Sequence, residues 1–105
     1  MLYLVSGELH NYELLNAPHE QFVQLMRRII VPSLELIVQQ QEAGKIVAGG
    51  VPAGSQKLVF ILDLPMVESH LAVRHLLHGL PLFGYYRWEV TPLESFREWL
   101  SSFKS

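Results

Sequence analysis

Apolar residues follow two spacings along this chain, and each change of spacing marks an element. Leu2-Tyr3-Leu4-Val5 is a short apolar and aromatic run closed by Gly7, which predicts a buried strand from Leu2 to about Glu8. After a connector of mixed polarity, Asn16 and Pro18 supply a helix start: a capping side chain, then a proline whose missing N–H costs nothing in the first turn. Phe22, Leu25, Met26, Ile29, Ser33, Leu36 and Gln40 recur at the helical period, so this helix is predicted to reach about Ala43 and stop at Gly44. Pro32 lies inside it, where it removes one backbone bond and is expected to kink or divide the helix.

Lys45 to Val51 and Gln56 to Asp63 read as strands, and the turn formers from Gly49 to Ser55 make them a hairpin. Val67 to about Leu77 is predicted as a second helix with Val67, Leu71, Leu76 and Leu77 turned inward, closing near Gly79. Leu82 to Val90 is an aromatic-rich strand. Thr91-Pro92-Leu93-Glu94 has the form of a capping box and is predicted to open a terminal helix, with Leu93, Phe96, Leu100 and Phe103 on its apolar face and Trp99 beside it. The order, with right-handed crossovers, is that of an α+β, ferredoxin-like βαββαβ fold: an antiparallel sheet with both helices on one face and a C-terminal helix. Val59 and Ile61 alternate with Leu58, Phe60 and Leu62, so the third strand is apolar on both faces. The uncovered face is expected to be buried on a symmetric copy, giving a homodimer or a higher homo-oligomer.

Composition narrows the partners. With 105 residues, one domain spanning 1–105 is expected. The absence of cysteine removes disulfides, thiolate nucleophiles and Cys-based metal sites. Eight basic against ten acidic residues, net −2, give no positive field for nucleic acid. Charged residues make up 17% of the chain against about 25% in ordinary domains, which leaves apolar surface over after one small core is filled. No run reaches the ~18 apolar residues of a membrane span, and Met1 to Glu8 lacks the basic region of a signal peptide. A partner subunit in the cytoplasm, with no membrane, is the expectation.

Ala48-Gly49, then Asp63-Leu64-Pro65 with Glu68, then Leu80-Pro81-Leu82-Phe83-Gly84-Tyr85 with Glu89-Val90 resemble the second half of muconolactone delta-isomerases. The resemblance covers about residues 44–93, and its most specific piece is Leu-Pro-Leu-Phe-x-Tyr. It implies a dimeric α+β barrel of two ferredoxin-like sheets packed face to face. It also implies proton transfer that moves a double bond in a lactone of aromatic catabolism, without cofactor. Ile46 and Val47 stand where the family has an aromatic–basic pair, and Gly84 where it has a proline.

Candidate chemistry lies on the first and last strands. Ser6, Glu8 and His10 are two apart and share a face, where a carboxylate beside an imidazole suits a proton-transfer base. Tyr85, Arg87 and Glu89 share a face in the same way. Arg87 is suited to a substrate carboxylate, Tyr85 to proton donation or stacking, and an Arg87–Glu89 network between subunits is the structural alternative. The catalytic candidates are therefore His10 and Glu8, and the substrate-binding candidates Tyr85, Arg87 and Ser6. His70, Arg74 and His78 share a helix face, with His75 three residues from His78, but lack a third ligand or a His-Glu-x-x-His pattern, so no metal is expected. The function expected is a cofactor-free isomerase or lyase on a small acidic or aromatic-derived molecule. The alternatives are a non-catalytic ligand-binding or assembly module, and a barrel monooxygenase in which His10, His19 or His70 handles haem.

Overall fold

In the computed structural model, residues 1–10, 16–52, 57–65 and 69–104 are described, Ser69 and His70 by backbone only. The elements are β1 (Leu2–Leu9), α1 (His19–Glu42), β2 (Ile46–Gly50), β3 (Lys57–Asp63), α2 (Ser69–His78), a 3-10 turn (Phe83–Tyr85), β4 (Tyr86–Leu93) and α3 (Phe96–Lys104). The sheet order is β2-β3-β1-β4, antiparallel throughout, which is the ferredoxin-like arrangement with a C-terminal helix. Val67, Glu68 and Gln56 lie outside the described residues.

Tyr3, Val5, Leu58, Phe60 and Leu62 point to one side of the sheet and form the core with Ile29 of α1 and Val73 and Leu77 of α2. Gly7 is required at its place on that side. The Trp88 ring lies across it, and a Cβ there would come within 2.7 Å of the ring.

Alpha-1 ends as the sequence predicts. Gly44 is left-handed (φ +82°), the Lys45 N–H donates to the Gln40 carbonyl and the Gly44 N–H to Gln41, which together satisfy two terminal carbonyls. Its start differs: the helix begins at His19 with Pro18 at the cap and no side-chain cap bond, so Asn16 does not cap it. Pro32 does not divide α1. The fully buried Ser33 hydroxyl donates to the Ile29 carbonyl at 2.7 Å and accepts the Leu82 N–H at 3.0 Å, tying the helix at this point to the segment before β4.

Three further expectations are corrected. Leu71 is exposed; Leu77 is buried and Leu76 partly buried as expected, and Val73 rather than Leu71 joins them. Leu82 to Tyr85 is not strand, because the Phe83 and Tyr85 N–H groups donate three residues back, to Leu80 and Leu82, and coil the chain. Thr91-Pro92-Leu93 is strand rather than cap: β4 stays paired with β1 down to Leu2↔Leu93. Pro92 is tolerated because β4 is an edge strand, where a missing N–H interrupts no ladder on its outer side. Alpha-3 is capped instead by Ser95, whose hydroxyl accepts the Glu98 N–H at 3.1 Å.

Candidate functional site

The candidate site lies on the sheet face opposite α1 and α2. Directly paired residues of an antiparallel ladder share a face. The registers therefore lay four rows across β3, β1 and β4: Lys57, Glu8, Arg87; Val59, Ser6, Glu89; Ile61, Leu4, Thr91; and Asp63, Leu2, Leu93. The first row is charged, and the two middle rows are apolar toward β3 and polar toward β4. A cavity of about 240 Å³ lies over them, lined by Leu4, Ser6, Lys57, Val59, Glu89 and Thr91.

His10 carries the β1–β4 ladder one step past Leu9, its N–H donating to the Tyr85 carbonyl at 3.0 Å. Its exposed imidazole meets Arg87, whose Nη2 lies 3.1 Å from Nε2 and 3.3 Å from Nδ1. A guanidinium offers only donors, so the contact is a hydrogen bond where it meets a ring nitrogen that carries a lone pair. Glu8 shares the row of Arg87 but forms no hydrogen bond or ion pair with His10 or Arg87. The structure thus brings His10 and Arg87 together, places Ser6 at the centre of the face, and leaves Glu8 beside the pair.

Tyr85 is elsewhere. It belongs to the 3-10 turn, and its ring is half-buried against the core, so only its backbone carbonyl reaches His10. Sequence reasoning missed Leu4, Lys57 and Thr91 as cavity residues. Lys57 is legible only through its pairing with Glu8, which needs the register. Tyr86 faces the helix side, where burial raises its phenol above the ordinary 10.0.

A second cavity, of about 280 Å³, lies on the helix side, with Leu36, Gln40, Lys45, Ala72, His75 and Leu80 in its lining. The Gln40 Oε1 is buried without a hydrogen-bond partner. His78 packs on Phe83 with ring centres 4.1 Å apart, and the His70 side chain lies outside the described residues. Among the described residues no three His, Asp or Glu side chains gather as a metal site, and no helix is long and apolar enough to cross a membrane.

The sequence model of the muconolactone delta-isomerase family matches residues 1–98. The chain belongs to that family. The match takes in β1 and α1 as well as the stretch whose motifs first suggested the resemblance. A crystal structure of muconolactone isomerase is similar over 90% of each chain, with 25% identity and a TM-score of 0.66. The 5-chloro-2-hydroxyhydroquinone dehydrochlorinase of Burkholderia phenoliruptrix, solved in complex with 2,5-dihydroxybenzoquinone, shares the fold. It is 16% identical, covers 92% of this chain and 97% of its own, and has a TM-score of 0.64. No curated protein matches in sequence.

Proposed function

We propose that this protein is a cofactor-free isomerase or lyase of small acidic, aromatic-derived molecules, acting as a homodimer whose open sheet faces enclose the site. The observation that carries it is the Arg87–His10 pair, with Arg87 in the same charged row as Lys57, which lines the open-face cavity. A substrate carboxylate takes the guanidinium of Arg87 in a two-point contact and frees the imidazole lone pair. His10 then removes a proton from a carbon made acidic by a neighbouring carbonyl. In an isomerase the electron pair shifts the double bond and the proton returns at the far carbon; in a lyase the pair expels a leaving group. Neither course changes oxidation state, so no redox cofactor is called for. Ser6 offers a hydrogen bond at the centre of the face, Glu8 flanks Arg87, and Tyr85 positions His10 through its carbonyl.

Titration with muconolactone and with 2,5-dihydroxybenzoquinone tests this. His10→Gln is expected to lower turnover at least ~100-fold with binding retained. Arg87→Met is expected to weaken binding about tenfold or more. Turnover that survives His10→Gln unchanged would remove the base from the reading. One observation favours a second reading, a ligand-binding module: the orphaned Gln40 Oε1 beside the helix-side cavity. Binding lost in Gln40→Leu but kept in Arg87→Met would move the site there.

A further inference from the structure

The helix-side cavity of about 280 Å³ lies where α1 and α2 both end. Leu36 and Gln40 come from the last two turns of α1, His75 and Leu76 from α2, and Lys45 from the step into β2. The turn that closes α1 sets two of these side by side. The Lys45 N–H donates to the Gln40 carbonyl at 3.0 Å, and the Lys45 carbonyl accepts the Asp63 N–H at 2.8 Å, so the backbone of Lys45 is held on both sides. Gly79 closes α2, its N–H donating to the His75 carbonyl at 3.2 Å. These hydrogen-bonded helix ends frame a site on the sheet face opposite Ser6 and Arg87.

Its floor is apolar: Leu64 and Leu80 are buried there, and Leu36 and Leu76 partly buried. Three polar groups complete it. The Gln40 Oε1 is buried with no hydrogen-bond partner among the described residues, and a buried acceptor is unfavourable until a donor is brought to it. The Lys45 ammonium and the His75 imidazole stand exposed at the rim. Neither has a hydrogen bond or ion pair among the described residues. No Asp or Glu is among the described residues of the lining, so no carboxylate opposes an anion there. An engineered cavity of ~150 Å³ takes a benzene ring. About 280 Å³ therefore has room for one ring with its polar substituents.

We infer that this cavity is a second ligand site, for a single-ring carboxylic acid that bears a hydroxyl. The carboxylate pairs with Lys45 and accepts from His75 at the rim, the ring lies on the leucines, and the hydroxyl donates to the Gln40 Oε1. Recognition is divided among the three. Lys45 and His75 select an anion, the leucines a ring, and Gln40 a donor at the buried end. An acid without the hydroxyl leaves Oε1 unpaired, and a neutral molecule leaves the rim unused. The site rests on the helix-side reading above, extends it from a cavity to a ligand class, and stands whether or not the open face is catalytic.

Calorimetric titration of the full chain carrying Arg87→Met, which removes the open-face partner for a carboxylate, tests this with 4-hydroxybenzoate, benzoate and 4-hydroxybenzyl alcohol. The first is expected to bind one to one, about fivefold more tightly than either of the others. Adding Gln40→Leu is expected to bring 4-hydroxybenzoate down to the level of benzoate and to leave benzoate unchanged. Adding Lys45→Gln is expected to weaken both acids roughly two- to fivefold and to leave the alcohol unchanged. Ala72→Phe fills the cavity and is expected to abolish binding of all three. Gln40→Met and Ala72→Leu replace these variants if circular dichroism shows either misfolded. The site is overturned by 4-hydroxybenzoate binding no better than benzoate, by equal loss of both acids in Gln40→Leu, or by full binding in the filled cavity. No saturable binding overturns it too, and leaves the Gln40 Oε1 to water alone. Failure of the open-face reading shows separately, as turnover unchanged in His10→Gln.

Discussion

Ser33 shows how one buried hydroxyl can tie a helix to a distant segment. Beside Pro32, which has no N–H for the helix ladder, it donates to the Ile29 carbonyl and also accepts the Leu82 N–H. Ser33→Ala would leave that buried N–H unpaired, and is expected to cost ~1–3 kcal/mol in urea unfolding. Tyr86 makes the other prediction at this scale. Its phenol is raised above 10.0 by burial. Below that value folded and unfolded chains both hold the proton. Above it the unfolded chain releases the proton first, so stability falls as pH rises through the folded value. Urea midpoints at pH 8, 9, 10 and 11 should decline at the alkaline end, and Tyr86→Phe should flatten that decline.

Among the elements, the boundary between β4 and α3 is decided by competition. Thr91-Pro92-Leu93-Glu94 and Ser95-Phe96-Arg97-Glu98 are both capping patterns four residues apart. Pairing with β1 keeps the first in the strand, which leaves the second to start the helix. Ser95→Ala is expected to weaken α3 by roughly 0.5–2 kcal/mol, seen as lost far-ultraviolet helicity. Thr91→Ala should leave that helicity unchanged; the reverse result would return the cap to Thr91.

Over the whole molecule, one sheet face is covered by α1 and α2, while the other carries Leu4, Val59 and Ile61 beside one charged row. In the two-copy arrangement proposed above, Ile61 faces its counterpart sheet. Ile61→Asp would then bury an unpaired carboxylate and is expected to weaken self-association at least ~100-fold, measured by sedimentation. An unaltered sedimentation profile would place this face in solvent.

Element order, the strand-period alternation of β3 and the Gly44 helix stop are local properties, and the chain alone determined them. The apolar surplus behind its 17% charge was legible too, since residues that cannot fit one small core must be covered elsewhere. His10, Glu8, Ser6 and Arg87 were found from parity, because side chains two apart share a strand face. What tertiary structure alone decided is which neighbours those residues meet. Register puts Arg87 rather than Glu8 on the His10 ring and brings Lys57 to the cavity. A turn anchored by Ser33 takes Tyr85 out of the strand. These are contacts between residues far apart in sequence, set by how strands pair and helices pack, and no local pattern encodes them.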